Sequence, residues 1–454
     1  MLILGEAGHG KTTVALHRLA HLYQQAHGRF RAAVIVPHEG LERLLQPLVT
    51  RLGADVSVIA YERWARRQAR RAFGDIPRRE SEEVRPVVLR LKRHAALAPL
   101  LRELAELPPG RIDDDEDAPP APTQAHAHRG DLQHLFGDGV RMQTLAREAG
   151  ESESGVAAIL EHTHQQFLLR AESEYADVDA ERLVSLDRRS LDEGTAAENA
   201  CSIDTEDYAV LFELDRLRAL RQGLKPTRPA AYDCIVLDEA QEFGPLELSL
   251  IGRSLTRQGT LVVAGDADQQ TDAGAGFQSW RASMRALRAP EYEQVELAIS
   301  YRCPAPVVAF AKALRAGNKP PATVPVRGFD TEAALADWIA EEGAFLADDD
   351  PTASFCVIAQ DRALARRLAA ALRGRVPCKL VLDGEFKFHR GVDVTTVEYA
   401  KGLEFDYVIV ADVTAQAYPE TPEARRALYV ASTRARYELV LAHVGEASPF
   451  LSDV

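Results

Sequence analysis

Gly5-Glu6-Ala7-Gly8-His9-Gly10-Lys11-Thr12-Thr13 is the stretch on which the fold turns. It fits G-x-x-x-x-G-K-[ST], a loop that wraps nucleotide phosphates in backbone N–H groups. Gly5, Gly8 and Gly10 let the chain turn tightly with no Cβ between backbone and ligand. Lys11 is placed to reach the outer phosphates, and the Thr12 hydroxyl to ligate Mg²⁺. Downstream, Thr12 to Ala26 has helical periodicity, with Val14, Leu16, Leu19, Ala20 and Leu22 as the expected buried face. The helix N-terminus adds its dipole to the phosphate site. Upstream, only Met1-Leu2-Ile3-Leu4 is left for the strand that should feed the loop.

The rest of the chain alternates strand and helix on either side of a long helical stretch. Residues 32–36 and 56–60 read as strands, with an apolar-faced helix (Leu41, Leu44, Leu45, Leu48, Leu52) between them. From Arg63 to Arg79 an Arg-rich stretch carries Trp64 and Phe73; it reads as a solvated helix face or as a phosphate-backbone contact surface. Residues 84–107 and 131–220 are expected to be helical. Between them, 108–130 is expected to be a disordered loop around Asp113-Asp114-Asp115-Glu116-Asp117. His126, His128 and His134 lie near that loop without ligand partners at metal spacing.

Strands resume at Tyr232-Asp233-Cys234-Ile235-Val236-Leu237, which ends in Asp238-Glu239-Ala240-Gln241. Two acids at a strand tip opposite a phosphate loop suit a nucleotide hydrolase: Asp238 for Mg²⁺, Glu239 as general base. Thr260–Ala264 and Val295–Leu297 are further strands, and Gln269 follows the first of them on a polar turn. A Pro/Gly-rich joint at 317–328 leads into a second alternating segment that closes with a strand at 438–442. The expected fold is α/β, with two parallel-sheet RecA-like domains. Residues 1–60 and 231–300 form the first, 61–230 a mostly helical insertion in it, and 301–454 the second.

Bulk composition limits the partners. The 454 residues carry a net charge of −14, so contact with nucleic acid requires a local basic surface. Five scattered cysteines give neither a C-x-x-C pair nor a disulfide framework, which fits a reducing cytoplasm. No apolar run is long enough for a membrane span, and no signal peptide precedes the loop.

The order of motifs resembles superfamily 1 helicases of the UvrD/Rep type, and most closely their HelD-like (helicase IV-like) branch. The resemblance is carried by Gly5–Thr13 with the Val14–Ala20 run, Asp238-Glu239-Ala240-Gln241 and Gly265-Asp266-x-x-Gln269. It continues through Tyr301-Arg302, Lys401-Gly402-Leu403-Glu404-Phe405-Asp406 and Leu428-Tyr429-Val430-Ala431-x-Thr433-Arg434-Ala435. It implies ATP and Mg²⁺ as cofactors, with Gly5, Gly8, Gly10, Lys11, Thr12 and Thr13 around the phosphates. Glu404 would bind the ribose, Arg302 and Arg434 would be arginine fingers, and Gln269 would couple the γ-phosphate to closure. A monomeric motor on DNA, single-stranded and tracked 3′ to 5′, is one implied activity; displacement of RNA polymerase is the other.

The sequence also departs from the family. The chain starts too late for the family's adenine-reading glutamine and for the HelD-like N-terminal arm, as an N-terminally truncated member would. Val36-Pro37-His38-Glu39-Gly40 replaces a DNA-contacting segment, and Thr271-Asp272-Ala273-Gly274 replaces an aromatic one; Phe277 and Trp280 follow, displaced. Glu398 stands where the family has His, and the span from Arg302 to Thr396 leaves no room for a large helical subdomain. A catalytically weak nucleotide-binding module is therefore the rival from another class. Repair or defence work beside a partner nuclease is a third option.

Overall fold

The β1 strand (Leu2–Gly5) is four residues long and lies inside a sheet rather than at its edge. A computed structural model of the chain describes residues 1–6, 8–26, 30–73, 76–81, 84–107, 124–167, 202–270, 276–298, 303–350, 352–382, 386 and 391–451. In chain order the next strands are β2 (Ala32–Val36), β3 (Ser57–Ala60), β4 (Arg79–Glu80), β5 (Ser202–Ile203), β6 (Tyr232–Leu237), β7 (Leu255–Gly265) and β8 (Gln294–Leu297). Then come β9 (Val326–Phe329), β10 (Phe355–Ala359), β11 (Cys378–Leu380), β12 (Val392–Thr396), β13 (Phe405–Val410) and β14 (Ala435–Val444).

Two six-stranded sheets result, ordered β3-β2-β6-β7-β1-β8 and β11-β12-β10-β13-β14-β9. Every pairing in both is parallel. Parallel neighbours need crossover helices, which cover both faces and explain the near-continuous apolar strands. Alternation along the strands then divides the core. Val34 and Val36 of β2 face one cluster, while Ala33 and Ile35 face another. Cys356 and Ile358 of β10 join the same cluster as Val34, so a single apolar layer runs between the sheets. The helices of the 61–230 stretch cover the far face of the first sheet, and a third cluster covers the far face of the second.

Several expectations need correction. Val14 is 38% exposed and Ala15 is buried in its place; Leu16, Leu19 and Ala20 of the expected face are buried, with Leu22 partly so. In helix Glu39–Arg51 the core takes Leu41, Leu45 and Val49, while Leu48 is exposed. Residues 124–130 belong to a helix, Gln124–Phe136, rather than to a loop; 108–123 lie outside the described residues, as do 168–201 of the expected helical stretch. A two-stranded sheet, β4 with β5, sits within that stretch and has too few residues to leave a period in the sequence. The strand expected at 260–264 begins at Leu255. The 317–328 joint contains the start of β9, which pairs with β14, the last strand in the chain.

The aromatics of the Arg-rich stretch are core: Trp64 and Phe73 are buried. Two of its arginines are engaged within the fold, Arg63 with Glu42 and Arg66 with Glu80, while Arg67, Arg70, Arg71 and Arg78 are exposed. Trp280 is partly buried, packs on the first-sheet core and meets Phe277 edge to face at 4.9 Å. Between helix Ala305–Arg315 and β12 the described residues hold only strands and crossover helices. None of the described helices is long and apolar enough to cross a membrane, and Cys234, Cys303, Cys356 and Cys378 form no disulfides.

Candidate active site

The β1 strand delivers the loop to the top of the first sheet, between β7 and β8. Gly8 (φ 77°) and Gly10 (φ 80°) are left-handed, a conformation that costs any residue with a Cβ about 1 kcal/mol or more. Gly10 is also the N-cap of helix Lys11–Gln25 and offers no capping side chain, so the helix end faces the loop as an anion site. Gly5 ends β1, opposite Leu297. Lys11 is buried; its Nζ donates to the carbonyls of Gly5 (2.8 Å) and Glu6 (3.1 Å) and lies 4.0 Å from Asp266. Thr13, exposed, lies on the mouth of the same cavity.

Two strands away, β6 ends at Leu237 and places Asp238 against the loop. The Thr12 hydroxyl donates to both Asp238 oxygens, at 2.8 and 3.1 Å. Burial, reinforced by the neighbouring Glu239, pushes the Asp238 carboxyl up to about 7. Glu239 sits in left-handed backbone (φ 50°), strained for a residue with a side chain. Burial works against its charge, but Lys11, a hydrogen bond from Gln241 (2.6 Å), Arg434 and Lys401 outweigh it and hold the carboxyl below its ordinary range. Adjacent acids are thus driven apart, one ready to release a proton to a cation, the other already ionised.

The second sheet closes over these groups. Arg434, 1% exposed, donates from Nε to the Val430 carbonyl (2.8 Å) and from Nη1 to that of Leu403 (3.3 Å). Its Nη2 crosses to the Gln269 side-chain oxygen at 2.8 Å, and Gln269 donates to Asp266 at 2.7 Å. A chain of contacts therefore runs from the second sheet through Gln269 and Asp266 towards Lys11. Arg302 lies outside the described residues.

Three further links between the halves carried no recognisable signal in the sequence. Lys401 Nζ meets Glu242 at 2.5 Å, and Arg315 holds both Glu6 (2.6 Å) and Asp268 (2.7 Å). His38 accepts at Nδ1 from the Leu41 N–H, so its Nε2 carries the proton and donates to the Lys401 carbonyl at 3.0 Å. The motifs mark Lys401, Glu6 and His38 as positions of interest, but the pairings themselves appear only when the sheets are brought together. A cavity of about 390 Å³ lies between the halves, lined by the loop, Glu239, Gln269, Glu404 and Arg434. Among the described residues no cluster of three or more His, Cys, Asp or Glu could hold a metal. One carboxylate plus one hydroxyl is the donor set of Mg²⁺, which completes its shell with water and phosphate oxygens.

His38 yields a pH prediction. Burial pushes its imidazole down to about 4, against the opposing hydrogen bond to the Lys401 carbonyl; Lys401 and Glu239 are the charges it senses. The folded state thus favours neutral His38. Its contribution is complete above the unfolded value near 6.5 and is lost as pH falls towards 4. At pH 4.5 this amounts to about 2.5 kcal/mol. Denaturant titrations at pH 8 and 4.5 should show wild type losing more stability than His38→Gln by roughly that amount; equal losses refute the assignment.

Residues 391–442, from β12 into β14, match the model of the UvrD-like helicase C-terminal domain. This stretch contains Lys401, Glu404 and Arg434. Among solved structures, the C-terminal domain of a possible DNA helicase from Lactobacillus plantarum WCFS1 is similar at 29% identity over 34% of this chain and 93% of that one, with a TM-score of 0.29. No curated protein matches. The match covers 52 of the 454 residues and marks this segment as similar to the C-terminal domain of UvrD-like helicases.

Proposed function

We propose that the chain is an ATP-hydrolysing motor with two RecA-like domains, the 61–230 stretch inserted in the first, and one nucleotide site in the cleft. The observation that carries this is the Thr12–Asp238 hydrogen bond at a cavity shared with Lys11, Glu239, Gln269 and Arg434. Lys11 would exchange its loop carbonyls for phosphate oxygens. Thr12 and Asp238 would hold Mg²⁺, which supplies charge neutralisation at the phosphates. Glu239, already ionised, would orient and deprotonate the attacking water. Arg434 would balance charge on the transferring group, with Arg302 beside it as the resemblance implies.

Lys11→Ala and Glu239→Gln test this. Each should reduce ATP turnover by at least ~10²-fold, Lys11→Ala with loss of nucleotide affinity and Glu239→Gln without it. Hydrolysis that vanishes in both excludes the weak binding module, and turnover surviving in both refutes the site. The position of β1 between two partners, paired through Leu2–Gly5, favours the motor.

The substrate is DNA in the first reading, tracked 3′ to 5′ along a single strand. Engagement of Arg63 and Arg66 by glutamates, together with the burial of Trp64 and Phe73, favours the second, a remodeller of RNA polymerase. That arrangement removes the stacking platforms from the stretch, while Arg67, Arg70, Arg71 and Arg78 stay exposed as a remaining basic face. Measuring which partner accelerates turnover decides between them: stimulation by single-stranded DNA alone supports the helicase, and stimulation by polymerase alone supports the remodeller.

A further inference from the structure

The cavity continues past the phosphate loop along helix Glu39–Arg51. Leu41, Leu44, Leu45 and Leu48 share one helical face. Leu41 and Leu45 are buried, but Leu44 is half-buried and Leu48 is 40% exposed, and both line the cavity. Apolar surface beside a phosphate site is where the uncharged end of a nucleotide gains most from leaving water. On the opposite wall the polar groups are largely engaged with one another. Asp406 accepts from the Ser354 N–H and hydroxyl, each at 2.9 Å, and from Arg436 at 3.1 Å; the Thr352 hydroxyl donates to Asp350 at 2.7 Å. Arg436, nearly half exposed, 4.0 Å from Glu404 and 5.6 Å from the Tyr437 ring centroid, lines the same cavity as the leucines.

We propose that Leu44 and Leu48 seat the nucleobase of the bound nucleoside triphosphate, with Arg436 stacking from the other side, and that this seat does not read which base it holds. The inference rests on the phosphate-loop reading above and adds the substrate range. An apolar seat separates similar ligands by about 10- to 200-fold at most, whereas one built from hydrogen bonds to the base reaches about 10⁴-fold. Stacking and dispersion act on any π-face, whatever its exocyclic groups.

The test is Mg²⁺-dependent binding of ATP, GTP, CTP, UTP and inorganic tripolyphosphate to the full chain, to Leu48→Ser and to Lys11→Ala. Leu48 is exposed enough for the substitution to leave the fold intact, and tripolyphosphate binding reports that it has. Expected are four nucleotide affinities within about tenfold of one another, all weakened about fivefold by Leu48→Ser, with tripolyphosphate unchanged. A preference for ATP beyond about a hundredfold, or nucleotide binding indifferent to Leu48→Ser while tripolyphosphate still binds, overturns the seat and leaves the phosphate loop standing. If tripolyphosphate does not bind, or Lys11→Ala binds every ligand as wild type does, the phosphate-loop reading fails and the seat with it.

Discussion

Arg434→Ala will lower ATP turnover by about 10³-fold or more while changing nucleotide affinity less than tenfold, if the cleft works as proposed. The guanidinium is held at three corners. Nε and Nη1 are tied to the Val430 and Leu403 carbonyls, which leaves Nη2 aimed at Gln269 on the other sheet. A group positioned in this way needs little reorganisation when charge develops at the γ-phosphate. Its loss also releases Gln269 from one of its two partners and removes a cation that helps keep Glu239 ionised. Arg434→Lys should recover little, because an ammonium cannot satisfy both carbonyls and Gln269 in fork geometry. The measurements are steady-state turnover and equilibrium nucleotide binding. Turnover above a tenth of wild type in Arg434→Ala would remove the arginine from the catalytic machinery.

Lys92→Met will destabilise the chain by about 3–5 kcal/mol. Lys92 is fully buried, with Nζ 2.6 Å from Asp204, 2.8 Å from Asp207 and 3.1 Å from Gln166, and lies over the Phe136 ring at 4.7 Å. His162 adds a contact to Asp204 at 2.9 Å. Burial opposes the charge of Asp204, but Lys92 and His162 outweigh it and hold the carboxyl well below the usual range. Burial likewise opposes the charge of Lys92, and the two aspartates overcome it. Removing the ammonium strands two carboxylates among helices Pro86–Arg93, Glu153–Gln166 and Thr205–Arg221. Urea denaturation would read the loss directly. Asp204→Asn should cost less in the Lys92→Met background than alone, since the carboxylate then keeps only His162 of its two charged partners. Strict additivity would mean that the two do not interact.

Part of the fold was legible because its signals are local. A strand shows as a short apolar run, a crossover helix as a 3.6-residue period, and a phosphate loop as glycines at fixed spacing before a lysine; each is written within a dozen residues. This is why β2 and β6, and helix Lys11–Gln25, lie where the pattern puts them. β4, β5 and β11 are two or three residues each and carry no period, so they were not legible. β9 was hidden by its position next to the Pro/Gly-rich joint. Val14 and Leu48 were assigned to the buried stripe because a helical period gives the angular spacing of a face but not where the face stops.

The candidate site divides along the same line. The opening loop, the acids at 238 and 239 and the amide at 269 could be picked out because their chemistry is tied to a strand end. Pairings across the chain could not. Lys92 with Asp204, Lys401 with Glu242, Arg315 with Glu6, and His38 with the Lys401 carbonyl join residues more than a hundred positions apart. By itself the sequence determined a parallel α/β chain with a glycine-rich loop before a lysine and an acid pair at a strand end. Only the tertiary structure decided that Arg434 reaches Gln269, which leucines face a cavity, and which charges are buried in pairs. Hydrophobic periodicity specifies the faces that must be covered, while the partner of a buried charge is set by where two sheets and their helices come to rest.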